Sequence, residues 1–132
     1  MNMTSEITKK IENSIKNKDF KKALSQCKKN SESLQKKDYF YLISVCYRYL
    51  NEPNKALINL DKLIQIDPNY GRAYQEIGHT NILLKDKNKA LKAYLRAVRH
   101  NPSLQSSWLG ILALENKNEE LINFVEQNVI YL

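Results

Sequence analysis

The residue types that most often perform catalysis or bind metals are few and scattered along this chain. His79 and His100 have no metal-ligand spacing to each other or to a cysteine. The three glycines are isolated, which excludes a phosphate-binding loop, and no serine lies in the context of a nucleophile elbow. We therefore expect no catalytic residue, no metal site and no cofactor, so that the chain is not an enzyme.

The two cysteines indicate a reducing compartment. Cys27 and Cys46 lie far apart in the sequence, and their spacing fits neither a disulfide framework nor a zinc site. We expect two reduced, partly buried thiols. No apolar run approaches the roughly 18–20 residues of a membrane span, and the N-terminus lacks the pattern of a secretory signal. The sequence therefore predicts a cytoplasmic location and no membrane partner.

Length and composition restrict the fold class. A chain of 132 residues suits one domain. Three glycines and three prolines are too few for a β-sandwich or for a Pro/Gly-rich disordered chain. A hydrophobic content of 42% is too high for an intrinsically disordered protein. The composition therefore indicates a folded domain that is not a β-sandwich.

A pattern of aromatic residues, alanines and prolines recurs along the chain at an interval of 34 residues. Aromatic residues recur at Phe40, Tyr74 and Trp108, and an Asp/Asn-Pro corner recurs at 67–68 and 101–102. Other matching positions are Ile43, Ile77 and Ile111, Ala56 and Ala90, Leu60 and Tyr94, and Leu63 and Ala97. Because chance rarely aligns aromatic residues, alanines and proline corners together, we interpret the interval as a structural repeat.

Each repeat begins with residues that have helical spacing. The positions expected to be buried are Phe40, Ile43, Ser44 and Tyr47 in one repeat and Tyr74, Ile77, Gly78 and Asn81 in the next. Pro68 and Pro102 cannot continue a helix, so they separate the repeats. Gly78 indicates a place where two helices approach each other closely.

Residues 71–104 resemble the tetratricopeptide repeat family, and residues 37–70 share the pattern in register. The matching residues are Tyr74, Ile77, Gly78, Ala90, Tyr94, Ala97 and Pro102 in the one, and Phe40, Ile43, Tyr47, Ala56 and Pro68 in the other. The resemblance implies an all-α fold, a right-handed α-solenoid of about four antiparallel helix pairs. It implies a single domain, 1–132, with a degenerate repeat at 4–36, repeats at 37–70 and 71–104, and a degenerate C-terminal repeat or cap at 105–132.

Weaker patterns flank the two repeats. The first unit has helical stripes at Ile7, Ile11 and Ile15 and at Phe20, Ala23, Leu24 and Cys27. The last helix is expected from Glu119 onward, with apolar positions at Leu121, Phe124, Val125 and Val129. A final repeat normally has a polar outer face, whereas residues 129–132 are apolar. We therefore expect that the C-terminal end can self-associate.

The resemblance also implies a binding surface. Stacked helix pairs leave a concave wall, which the first helix of each pair lines in this family. Here the wall is predicted to carry Tyr41, Val45, Arg48, Arg72, Gln75, His79 and Ile82. Such a mixture suits an extended peptide or a partner helix, so we predict a non-catalytic scaffold that binds a peptide or a partner domain. The alternative is that these side chains only pack against neighbouring helices.

A narrower resemblance supports a different function. Residues 72–79, 101–104 and 107–108 resemble the N-terminal repeats of bacterial proteins that join such repeats to a sulfotransferase domain. This resemblance implies a regulatory or substrate-docking module of a larger enzyme, with no activity of its own. The chain contains no segment that resembles the phosphosulfate-binding site of a sulfotransferase.

Charge raises a third class of partner, nucleic acid. Residues 1–37 carry ten lysines against four acidic residues, which would suit a phosphate backbone or another acidic partner. A coding bias towards lysine and asparagine accounts for the same composition. Phe20 is the single aromatic residue among these lysines, and its spacing suits the core, so nucleic acid is disfavoured.

Acidic chaperone tails are disfavoured as well. Members of the resembled family that grip such tails use lysine, asparagine and arginine on successive inner helices. The corresponding residues here are Tyr41, Val45, Glu76, Ser106 and Gly110. A frame that starts in the first unit gives Thr8, Glu12, Leu42, Arg72 and Glu76. Of all these residues, only Arg72 fits the pattern.

Overall fold

The structure, a computed structural model, describes residues 3–120, 122 and 123, with side chains from residue 6 onward. Within these residues it has seven helices and no strand: α1 (Met3–Lys16), α2 (Phe20–Lys29), α3 (Lys36–Tyr49), α4 (Pro53–Ile66), α5 (Gly71–Leu83), α6 (Lys87–His100) and α7 (Gln105–Glu115). The predicted all-α class is confirmed.

An eighth helix was predicted from Glu119 onward. Residues 119, 120, 122 and 123 are helical. The other residues named for this helix, Leu121, Phe124, Val125 and Val129, lie outside the described residues, as does the apolar chain end. Self-association through that end stays a prediction.

The helices form two compact units, which join in the chain between Ile66 and Asp67. In the first unit α3 packs against both α2 and α4, and α1 packs against α2 and α3. In the second unit α6 packs against both α5 and α7, and α5 also contacts α7. Each unit therefore has one helix at the centre of its packing, α3 in the first and α6 in the second.

The turns within the helix pairs share one backbone geometry. Each has one non-glycine residue in the left-handed region, with φ between 50° and 63°, at Lys18, Asn51, Lys85 and Lys117. The next N–H donates to the carbonyl five residues back, as from Asp19 to Ser14 and from Asp86 to Asn81, both at 2.9 Å. This Schellman arrangement satisfies carbonyls that the end of a helix leaves unpaired. The turns at residues 18 and 117 therefore match those of the two central repeats.

Two of these turns also start the next helix. The Asp19 carboxylate accepts a hydrogen bond from the Lys22 backbone N–H at 3.2 Å, and the Asp86 carboxylate accepts one from that of Lys89 at 3.1 Å. Each aspartate is thus the N-cap of its helix, where it satisfies an N–H that has no partner within the helix. A left-handed residue followed by a capping aspartate ends one helix and begins the next.

The proline corners carry a second repeated contact. The Tyr74 hydroxyl donates to the Pro68 carbonyl at 2.7 Å, and the Trp108 indole N–H donates to the Pro102 carbonyl at 2.8 Å. Both bonds join the first helix of a pair to the loop that precedes it. The aromatic residues that recur in the sequence therefore hold equivalent positions in α5 and α7.

The left-handed residue of the first turn offers a test of this geometry. Replacing Lys18 by glycine should raise the free energy of unfolding by about 0.5–1 kcal/mol, because glycine has no Cβ to oppose a φ of 62°. Replacing Lys9, an exposed residue within α1, by glycine should instead lower the free energy of unfolding by about 1 kcal/mol. Urea titration measures both changes. A destabilised Lys18→Gly variant would contradict the turn geometry.

Candidate partner-binding site

Helix α3 carries the first three predicted binding residues, and all three are buried. Tyr41, Val45 and Arg48 belong to a continuous run of buried residues from 41 to 48. The predicted stripe through Phe40, Ile43, Ser44 and Tyr47 covers only part of this burial, and both α2 and α4 pack against α3. Burial agrees with the packing interpretation of these side chains, and their contact with a partner stays a prediction.

Helix α5 carries the other four predicted residues, of which three are buried. Gln75, His79 and Ile82 are at most 8% exposed, whereas Arg72 is half-buried. The Gln75 side-chain oxygen accepts hydrogen bonds from the Ser107 backbone N–H at 3.1 Å and from the Ser107 hydroxyl at 2.8 Å. Gln75 therefore fixes the start of α7 against α5.

His79 joins α5 to α6. Its Nδ1 atom lies 2.6 Å from the hydroxyl oxygen of Tyr94, and both side chains are buried. A hydrogen bond between two buried groups avoids the cost of leaving either one unpaired. The His79 ring therefore has a structural partner inside its own unit, in addition to any role towards a binding partner.

The Tyr94 ring fills the space between α5 and α7. A Cβ atom added to Gly78 would lie 2.5 Å from Cδ1 of this ring, and one added to Gly110 would lie 2.5 Å from Cε2 on the opposite edge. Both distances are too short for a real contact. The sequence predicted that Gly78 lies where two helices approach each other closely. In the structure, the group that approaches Gly78 is the side chain of Tyr94.

The sequence did not reveal the hydrogen bond between His79 and Tyr94. His79 was interpreted as a surface residue and Tyr94 as a core position of a repeat. The repeat interval does carry a signal, because the equivalent residues of the preceding repeat are Val45 and Leu60, which are both 0% exposed. A histidine and a tyrosine therefore replace two apolar core residues together, as a hydrogen-bonded pair would.

Two further polar residues of α5 bond to their own helix. The Thr80 hydroxyl donates to the Glu76 carbonyl at 2.7 Å, and the Asn81 amide donates to the Ile77 carbonyl at 2.9 Å. Such bonds satisfy side chains that have no access to water. The polar character of α5 is therefore largely internal to the second unit.

The Tyr39 hydroxyl and the Lys55 ammonium, both in the first unit, have raised pKa values. Burial raises the pKa of the Tyr39 hydroxyl, and the nearby Tyr47 and Cys27 raise it further. The Glu52 carboxylate, 2.9 Å from the Lys55 ammonium, raises the pKa of Lys55 through a hydrogen bond and its charge. Both shifts favour the protonated form, so neither group is prepared to act as a base at neutral pH.

The residues that the structure describes contain no cluster of three or more histidine, cysteine or acidic side chains that could hold a metal ion. Cys27 and Cys46 are both buried and unbridged. None of the seven described helices is long and apolar enough to cross a bilayer.

Comparison with known proteins identifies the fold. A sequence model of the tetratricopeptide repeat matches residues 37–70 and 71–104, which together make up just over half of the chain. The structure is similar to the crystal structure of the Sgt2 TPR domain from Aspergillus fumigatus, with a TM-score of 0.78 and 16% sequence identity. The similarity covers 100% of this chain and 89% of that one. The predicted helical-repeat fold is confirmed.

Curated relatives are similar over shorter stretches. The chain is 26% identical over 68 residues to Hsp70-Hsp90 organizing protein 3 of Arabidopsis thaliana and 28% identical over 68 residues to Hsp70-Hsp90 organizing protein 1 of Glycine max. It is 30% identical over 98 residues to BBSome complex member BBS4 of Mus musculus. The matched stretches make up 12% of each of the first two proteins and 19% of the third.

These relatives bear on one earlier expectation. The residues at the inner-helix positions led us to disfavour chaperone tails as partners. Two of the relatives carry Hsp70 and Hsp90 in their names, so the comparisons give that exclusion no support. Chaperones therefore remain among the partners to be tested.

The buried pair predicts a measurable cost for removing one hydroxyl. Replacing Tyr94 by phenylalanine should lower the free energy of unfolding by about 1–3 kcal/mol, because His79 then loses a buried partner. Replacing Tyr74 by phenylalanine removes the partly buried bond to Pro68 and should cost only about 0.5–1.5 kcal/mol. Denaturant titration compares the two. An equal or smaller loss at Tyr94 would contradict the assigned pair.

Proposed function

Since this chain belongs to the tetratricopeptide repeat family, we propose that it is a non-catalytic protein–protein interaction scaffold that binds a peptide or a partner domain through the first helices of its repeats, α3 and α5. The family match and the similarity to another TPR domain support an interaction module. The proposal assigns no reaction to the chain. Its residues would act by shape, hydrogen bonding and charge.

The partial exposure of Arg72 is the observation that supports placing the binding surface on α5. Arg72 is the half-buried member of the seven predicted residues, so its guanidinium can reach a partner while the buried residues keep the helix in place. Arg72 lies in the first turn of α5, where a cation gains nothing from the helix dipole. Arginine is enriched among residues that dominate binding energy at protein interfaces. We therefore assign the main polar contact with a partner to Arg72.

A rigid helix would make this contact effective. The side chains of Gln75 and His79 bond to α7 and α6, respectively, so α5 is fixed on two sides. A surface that is already ordered loses less conformational entropy when it binds. In this proposal the buried polar residues of α5 support the interface, and the half-buried Arg72 makes the direct contact.

Chaperone binding is the second candidate function. It is favoured by the two Hsp70-Hsp90 organizing proteins among the relatives. The chain spans only 12% of either relative. A link between this chain and Hsp70 or Hsp90 is therefore itself a proposal. Peptides that copy the C-terminal tails of Hsp70 and Hsp90 are the probes. Micromolar binding that requires Arg72 would select this candidate over an unrelated partner.

A charge reversal at Arg72 tests the proposed surface. Affinity capture from the source cells, followed by quantitative mass spectrometry, should recover the specific partner about tenfold less well with Arg72→Glu than with the parent chain. Arg99→Glu is the matched control, because Arg99 is an exposed residue of α6 and the variant has the same net charge. Equal recovery with all three proteins would contradict the assignment to α5.

A further inference from the structure

Helix α2 exposes four lysines that face no carboxylate among the residues that the structure describes. Lys21, Lys22, Lys28 and Lys29 are all exposed, and the helix itself contains no acidic residue. The carboxylate just before it, that of Asp19, caps the backbone of the first turn. The surface of α2 is therefore strongly cationic along its whole length.

Part of this surface forms a shallow, open cleft, lined by Lys21, Leu24, Ser25, Lys28 and Lys29, all from α2 itself. We call it the α2 lysine cleft. The spacing of these residues places them on one side of the helix. Leu24 is half-buried and packs against the core cluster that contains Ile43 and Tyr47. The lining therefore combines three cationic side chains with one apolar side chain and the Ser25 hydroxyl, which can act as an additional donor.

The ammonium groups of the cleft lack acidic partners among the described residues. Lys28 lies 5.7 Å from the centroid of the Tyr47 ring, and neither Lys21 nor Lys29 has a described contact. Elsewhere in the chain lysines do face carboxylates, as in the pairs of Lys87 with Glu119 and Lys89 with Asp86. A group of like charges without counter-charges attracts an anionic ligand.

We propose that the α2 lysine cleft binds an extended acidic peptide segment of a partner protein. Lys21 and Lys28 are separated along the helix by a rise of about 10.5 Å. An extended peptide places residues i, i+2 and i+4 on one face over about 13 Å, and the flexible lysine stems cover the difference. The segment therefore has acidic residues at both ends of this pattern, for Lys21 and Lys28, and an apolar residue between them, for Leu24.

The chemistry of the cleft favours a peptide over a lipid surface or a nucleic acid. Leu24 is half-buried, and α2 exposes no large apolar side chain that could enter a bilayer. Bases would need an exposed aromatic face, but Phe20 is stacked on Tyr49 with a centroid distance of 4.3 Å. The proposal is independent of the surface assigned to α3 and α5.

The probe is a dye-labelled peptide with the central pattern Glu-Ser-Leu-Ser-Glu, titrated at low salt by fluorescence anisotropy. Binding should weaken about tenfold in the triple variant Lys21→Gln/Lys28→Gln/Lys29→Gln, since each exposed ion pair contributes modestly. The matched control, Lys87→Gln/Lys89→Gln/Lys92→Gln, removes three lysines from α6, two of which face carboxylates. It should change the affinity less than twofold.

Changes in the probe test the two parts of the pattern without altering the protein. A peptide with glutamine in place of glutamate should lose binding, and one with serine in place of leucine should bind several-fold more weakly. Absence of binding at low salt would overturn the proposal, as would equal binding by the two triple variants or by the glutamine peptide. Tighter binding of a DNA oligonucleotide or of phosphatidylserine vesicles, lost in the Lys21/Lys28/Lys29 variant, would also overturn it.

Discussion

The packing of the second unit depends on one aromatic ring held between two glycines. The Tyr94 ring belongs to α6, and its opposite edges face Gly78 of α5 and Gly110 of α7. A fully buried aromatic side chain contributes a large share of the core energy of a small unit. Because its hydroxyl also meets His79, the same residue fixes the position of α5 through packing and through a buried hydrogen bond. The candidate surface on α5 is held in place by this contact.

The two central repeats meet the same constraint with different residues. Where the second repeat has Gly78, His79 and Tyr94, the first has Ser44, Val45 and Leu60, and the latter three are all 0% exposed. A smaller side chain at residue 60 accompanies a larger one at residue 44, and both polar partners of the second repeat are apolar in the first. The repeats therefore share their helices and turns, while the side chains that fill each core change together.

Sequence periodicity was sufficient for the helices, the breaks between them and the family, because these depend on local spacing. It could not give the burial of α3 from 41 to 48, since that burial depends on tertiary packing and extends round the helix beyond the apolar stripe. Residues next to the apolar stripe on the helical wheel were therefore interpreted as surface residues. In the structure, six of them are buried: Tyr41, Val45, Arg48, Gln75, His79 and Ile82. Arg72 retains exposure, and the lysines of α2 were recognised as a charged stretch without the cleft that they form.

A double-mutant cycle between Gly78 and Tyr94 tests the central contact most directly. In the parent chain, Gly78→Ala should lower the free energy of unfolding by about 1–3 kcal/mol, because the new methyl group meets the ring. In a Tyr94→Leu background the same substitution should raise it by up to about 1 kcal/mol, the ordinary gain of alanine over glycine in a helix. A coupling energy above about 1 kcal/mol is the predicted result. Equal effects of Gly78→Ala in both backgrounds would contradict the account.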